Sequence, residues 1–413
     1  MNHYIGTEGM VELFELDKPK IAGADTETNG LNIKFSTAFL IIFGWGDRVF
    51  TFYPTKVDME RLYHCCKQLD KLYFWNTKYD MHMLTNTGYP YPYNNLSDGM
   101  FLARLSLNAD DDQSLALKAI AKRFVDGGAA LMQDSVKAEL TALRKQRNKV
   151  LTGMLKGIKV TRKVFDEMEK DLTADFPPEI QEIYDNWNEA FPEPNYADVN
   201  RDLMIQYAAN DVIIMMKFIE KALPIIQARQ QESVLDREDR LIRPLYEMER
   251  VGFKMDRKYL EDSKSRLRAY IKTRREELCK EAEQPLKIGQ SAEIMKILNE
   301  RYNVRALSSD RAALQFISRT EPQAKLFCDL IIELRTLEKW YSTYVIGLLE
   351  NSKFDGRAYT TIFQAGTVSG RVSCNFQQFP KANLYDNEGN TLFEPRRAFK
   401  VTGNGHDEIY YLD

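Results

Sequence analysis

The stretch IAGADTETNGL, residues 21–31, sets the strongest constraint on how this chain can fold. Apolar residues climb to Asp25, and Glu27 follows two positions later, before Asn29-Gly30 breaks the run. In an extended strand, residues i and i+2 share a face, so Asp25 and Glu27 stand side by side at a strand end. Two unpaired carboxylates so placed repel each other, and in a buried setting they do not both stay ionised. Either this is an exposed strand end or a cation sits between them.

At 413 residues the chain exceeds one ordinary core, so two or more domains are expected. With 44% apolar and 28% charged residues it reads as globular and soluble. The net charge of −3 advertises no nucleic-acid binder, yet a near-neutral total can hide a local basic groove. The five cysteines, Cys65, Cys66, Cys279, Cys328 and Cys374, form no C-x-x-C pair. They suggest neither a disulfide framework nor structural zinc, and a cytoplasmic location fits them best. The opening MNHYIGTEGMVELFELDKPK is acidic and lacks the apolar core of a signal peptide. The longest apolar run, near residues 39–43, is too short to cross a bilayer.

From 20 to 98 the pattern is strand-rich, with IAGAD, AFLIIFGWG, RVFTFYP and KLYFWN interleaved with helical MERLYHCCKQL, KYDMHMLTNT and DGMFLARLSL. The mixture predicts an α/β layer fold, and SLALKAIAKRFV reads as a further amphipathic helix. A basic insertion of about residues 130–195 follows, read either as a solvated face or as a phosphate-contacting arm. DLMIQYAANDVIIMMKFIEKALP predicts an apolar helix closed by Pro224. Beyond it the chain turns largely helical, and after Phe354 it changes to short strands rich in Gly, Ser, Thr, Gln and Arg. Domains are expected over 1–230, 231–354 and 355–413.

Three further spots bear on the two carboxylates. NTKYD places Asn76 and Asp80 four residues apart, YAAND places Tyr207 and Asp211 on one helix face, and Asp98 follows a turn-like NNLS. Asp98 also suits a helix cap. Phosphodiester hydrolysis uses two divalent cations roughly 3.5–4 Å apart. Hard oxygen ligands suit Mg2+ or Mn2+. A strand D-x-E plus aspartates from two helices would supply the cage, and the cations would hold the acids together.

That order resembles the proofreading 3′–5′ exonucleases of the four-carboxylate, tyrosine-containing type, which have a ribonuclease-H-like fold. DTETNGL is similar to their first motif, NTKYD to the second and YAAND to the third. The resemblance implies that Asp25, Glu27, Asp80 and Asp211 bind two metal ions, that Tyr207 orients the attacking water, and that Asn76 touches the single-stranded 3′ end.

LIRPLYEMERVGFKMDRKYL resembles the segment that opens the polymerase domain of family A DNA polymerases, and TVSGRVSCNFQQFPKA resembles their T-x-x-G-R-x-S…N-x-Q-x-x-P stretch. The resemblance implies a mostly helical thumb followed by an incomplete α+β palm. Lys264, Arg266, Arg268, Lys272, Arg274 and Arg275 are then phosphate candidates, or else a solvated helix face. Arg371, Asn375, Gln377 and Gln378 would reach minor-groove acceptors of a primer–template, which look alike for every base pair. This copy is shorter than the bacterial pattern between Ser373 and Asn375. RRAFKV, with Arg396 and Arg397, matches the basic strand expected next, and EIYYLD would deliver Asp413 as the first polymerase metal ligand.

The resemblance thus implies the front part of a phage-like polymerase, split or truncated, that needs a second polypeptide for DNA synthesis. The alternative is a non-catalytic, DNA-binding scaffold subunit of a polymerase complex.

Overall fold

The computed structural model describes residues 2–92, 94–107, 114–125, 131–157, 182, 186–187, 190–364, 366–367 and 370–400. The described chain falls into two compact units. The first runs to Val251 and also takes in Thr360–Asn375; the second contains Gly252–Tyr359 and the segment from Phe376 onward.

The first unit is built on a six-stranded mixed sheet. Its strands are β1 (Asn2–Ile5), β2 (Ile21–Thr28), β3 (Ala38–Trp45), β4 (Arg48–Phe52), β5 (Lys71–Phe74) and β6 (Leu96–Asp98), in the order β1-β4-β3-β2-β5-β6. The β2–β3 and β3–β4 pairs are antiparallel, while β1–β4, β2–β5 and β5–β6 are parallel. Gly46-Asp47 makes the two-residue turn between β3 and β4.

Helices α1 (Met10–Asp17), α2 (Lys56–Cys66) and α3 (Thr77–Asn86) contribute to one core, with Phe14, Cys65, Leu84, Ala22, Ala24, Phe43 and Phe50. Helix α4 (Gly99–Ser106), α5 (Leu117–Phe124), α6 (Leu131–Gly157) and α7 (Arg201–Ala228) contribute to a second core with Leu40, Ile42, Val49 and Tyr73. Alternation along β2 follows directly: Ala22 and Ala24 enter the first core, so Gly23, Asp25 and Glu27 face the other way.

Helix α7 lies close over the sheet because two glycines face each other in register, Gly23 and Gly44. A Cβ on Gly44 would stand 2.8 Å from the Arg48 carbonyl oxygen and 3.2 Å from Val212 Cγ1. Gly44→Ala gains about 0.4–1 kcal/mol from a stiffer unfolded chain, but the backbone oxygen cannot swing aside, and overpacking costs roughly 1–3 kcal/mol. The expected net is a loss of about 1–2 kcal/mol in urea unfolding. A neutral or stabilising result would show that α7 has room to retreat.

Two expectations about helix ends change. Helix α7 continues through Pro224 to Ala228 instead of ending there. Pro224 and Glu220, whose carbonyl loses its intrahelical donor, are both exposed and open to water. The expected division near 230 moves to Val251, because α8 (Glu232–Val251) packs on the first unit. Ile242 joins its core, and Asp239 takes Lys71 Nζ at 2.6 Å and Ser97 Oγ at 2.8 Å. Gly252 ends α8 at φ 59°, where a Cβ would meet Tyr359 Cδ1 at 2.6 Å.

The second unit is mostly helical: α9 (Arg257–Ala282), α10 (Ser291–Tyr302), α11 (Arg311–Thr320) and α12 (Lys325–Lys339), then a π-helical stretch over Trp340–Ile346. Leu267, Ile271, Leu278, Phe327, Leu334, Tyr341 and Phe393 share its core. Short strands follow, as the composition change after Phe354 predicts: Arg357–Ala358, Leu384–Tyr385 and Thr391–Phe393 here, and Ile362–Phe363 and Ser373–Cys374 in the first unit. Residues 396–400 do not form the expected strand. Pro395–Ala398 is a 3-10 turn, with Phe399 bridged to Met255, and Val401 lies outside the described residues. EIYYLD with Asp413, and residues 158–181 of the basic insertion, also lie outside them. Among the described residues no helix is long and apolar enough to cross a membrane, and the five cysteines are free.

Candidate nuclease site

Strand β2, helix α3 and helix α7 bring the three sequence motifs together. Thr26, between Asp25 and Glu27, faces α3 and donates both its N–H (3.1 Å) and its Oγ1 (2.7 Å) to Asp80 Oδ1. Asp80 lies in the first turn of α3, where the helix dipole favours an anion. Its other oxygen, Oδ2, is buried without a hydrogen-bond partner. On the opposite side of β2, Gly23 abuts Met215 and Met216 of α7. Tyr207 and Asp211 lie one to two turns earlier on that helix, both buried.

Electrostatics tie the acids into one cluster. Burial pushes the Asp25 carboxyl up to about 7, against the Thr26 N–H and the charge of Lys118. Glu27 is raised well above the ordinary range by burial, then by Asp25, with Asp80 adding to it. Asp80 is raised by burial and by Asp25. Burial also raises the Tyr207 phenol, with Glu27 and Asp25 adding to it, which keeps it a neutral donor.

Sequence reasoning missed the cation at the centre. Lys118 of α5 pairs with Asp211, and its Nζ lies 4.8 Å from the centroid of the Tyr207 ring. Burial lowers its pKa to about 8 against the pull of Asp25 and Glu27. Of the three basic residues on α5, Lys118 sits one turn before buried Ala121, while Lys122 and Arg123 are exposed. That spacing was the available signal.

Among the described residues, no three His, Cys, Asp or Glu side chains stand as a ready-made metal cage. The donor set nevertheless fits hard divalent cations: it is all carboxylate, crowded, and includes the orphaned Asp80 Oδ2.

Asp98 caps two helices. It accepts from Met100 N (2.8 Å) at the start of α4, and from Asn76 N (3.1 Å) and Thr77 N (2.9 Å) at the start of α3. Asn76 holds φ 71°, a left-handed conformation asparagine tolerates, with its side chain making no cap bond. Asp98→Ala is expected to cost about 2–3 kcal/mol, one lost cap per helix, with Asp98→Asn costing less. Equal stabilities of the two variants in urea would contradict the double cap.

Of the residues predicted to meet duplex DNA, Arg274 and Arg275 are committed inside the second unit. Arg274 binds Glu333 (2.6 Å) and Arg275 binds Glu338 (2.7 Å), tying α9 to α12. They serve as struts between the two helices. Lys264 pairs with Glu261 at 3.6 Å, and Arg266 Nη2 donates to Ser263 Oγ at 2.9 Å. Lys272, Arg371, Asn375, Gln377, Gln378, Arg396 and Arg397 have exposed side chains. Arg397 stacks over Tyr259 at 4.8 Å.

Residues 257–412 match the family model described as DNA polymerase family A. That stretch is similar to part of a family A DNA polymerase. The chain's curated relatives include DNA polymerase I of Caldicellulosiruptor bescii, 26% identical over 202 residues, covering 47% of this chain and 23% of that protein. DNA polymerase I of Treponema pallidum is 24% identical over 222 residues, covering 52% and 22%. The match takes in less than a quarter of the length of either relative. Among solved structures, the POL domain of Pol1 from M. smegmatis, in complex with DNA primer-template and dNTP, shares the fold. Its TM-score is 0.61 at 17% identity, covering 98% of this chain and 59% of that one.

Proposed function

We propose that the first unit is a 3′–5′ exodeoxyribonuclease that proofreads for a replicative polymerase of family A and of phage-like build. The observation that carries this reading is the double hydrogen bond from Thr26 to Asp80, which sets a strand D-x-E against a helix aspartate. Asp25, Glu27, Asp80 and Asp211 would hold two Mg2+ or Mn2+ ions. When bound, these would activate the water and stabilise the leaving oxygen. Tyr207, neutral and beside Asp211, would orient the attacking water by hydrogen bonding. Water attacks the terminal phosphodiester, the P–O3′ bond breaks, and a 5′-mononucleotide leaves a strand one residue shorter. Asn76, opening α3 beside Asp80, would touch the substrate strand.

The polymerase-related region would lie along primer–template duplex. Arg371, Asn375, Gln377 and Gln378 would reach into the minor groove, and Lys272, Arg396 and Arg397 would meet phosphates. The nuclease reading is tested on single-stranded DNA labelled in its 3′-terminal nucleotide. Release of that label as mononucleotide in Mg2+, and its retention in EDTA, is the expected result. Release of internal fragments first would contradict an exonuclease, and no release at all would favour a DNA-binding scaffold.

A further inference from the structure

Lys118 is the one feature of the acidic cluster that a metal-binding site does not call for. Its side chain is drawn from a separate helix, α5, and is largely buried between Asp211 and the face of Tyr207. Asp25 and Glu27 lie near enough for their charges to act on it. A buried ammonium costs several kcal/mol to desolvate unless anions surround it, and here acids from β2 and α7 do so. The oxygen it binds, Asp211 Oδ1, is one that a cation would need.

Resting on the nuclease reading above, we propose that Lys118 is a resident counter-cation. It neutralises the carboxylate cluster when metal is absent and must release Asp211 before the second metal ion can bind. Lys118 is thus a positioning residue that competes with metal. Two divalent ions and an ammonium within one small site repel, so metal loading and the Lys118–Asp211 pair exclude each other. The device keeps four acids folded together without metal, and it weakens metal affinity in return.

The test is Mn2+ binding to the 413-residue chain, followed by calorimetry and by the spin signal of free Mn2+, in native protein, Lys118→Met, Lys118→Arg and Asp25→Ala. Lys118→Met is expected to bind Mn2+ roughly tenfold more tightly, the scale of one partly buried charge interaction. Without metal it is expected to melt about 2–4 °C lower, with saturating Mn2+ closing the gap. Lys118→Arg keeps the charge and should stay near native affinity. A residue that merely supports the fold would loosen metal binding when removed, so unchanged or weaker affinity in a folded Lys118→Met overturns the inference. If native protein binds Mn2+ and Asp25→Ala does not, that failure leaves the nuclease reading standing. If native protein binds no Mn2+, or Asp25→Ala binds it equally, both fail.

Discussion

Asp25→Ala is expected to slow magnesium-dependent shortening of a DNA 3′ end by about 10³-fold or more, the rate equivalent of several kcal/mol of lost transition-state stabilisation. Asp25 acts widely within the cluster: it raises Glu27, Asp80 and Tyr207, and Lys118 feels its charge. No second carboxylate on β2 can take its place, since Glu27 is already part of the set. The same substitution removes one of several mutually repelling, desolvated acids, so metal-free stability should hold or rise. Loss of activity with retained stability separates a chemical role from a structural one. A variant keeping a tenth of native activity would remove Asp25 from the site.

The largest expected loss of stability comes from Glu249. The residue is 2% exposed, and its carboxylate takes Lys78 Nζ at 2.6 Å, His82 Nε2 at 2.7 Å and Ile362 N at 2.6 Å. Lys78 and His82 flank Asp80 on α3, so Glu249 clamps the helix that presents the second motif, and holds the Ile362–Phe363 strand to it. Glu249→Ala leaves a buried ammonium facing only the Ile362 carbonyl among its described partners, a defect worth about 3–5 kcal/mol.

Glu249→Gln keeps an acceptor for Lys78 and Ile362 N and turns an amide N–H toward His82 Nε2, which accepts it in the Nδ1–H tautomer, so it should cost less. Burial pushes the Glu249 carboxyl up, but His82, Lys78 and the Ile362 N–H together hold it below its ordinary 4.5. A depressed acid contributes stability above pH 4.5 that disappears as pH falls through the folded-state value. Native protein should therefore lose stability on acidification more steeply than Glu249→Gln, read from urea midpoints at pH 7 and pH 4. Parallel curves, or an alanine variant costing under 1 kcal/mol, would contradict the clamp.

What the sequence made legible was local. The β2 alternation, the first turn of α3 and the Tyr207–Asp211 spacing each depend on strand or helix period alone, and each stands where that period puts it. Helix α8 was assigned to the wrong side of a boundary because its attachment runs through pairings with residues far earlier in the chain, Asp239 with Lys71 and Glu249 with Lys78. Arg274 and Arg275 looked like a solvated or DNA-facing run because their partners, Glu333 and Glu338, come about sixty residues later. Lys118 carries the same lesson inside the site: a lysine on an amphipathic helix reads as surface until the fold supplies the acids around it. Asp98 was legible as one cap, and only the parallel pairing of β5 with β6 shows the second.

The central claim is that these acids form a working 3′-end nuclease. The direct measurement uses a primer–template labelled at the primer 5′ end, incubated with native protein and Mg2+, with EDTA, and with Asp25→Ala. Stepwise shortening of the primer in Mg2+ alone, abolished by EDTA and by Asp25→Ala, is the predicted result. Shortening that persists in Asp25→Ala would contradict it, as would a primer left at full length by native protein in Mg2+.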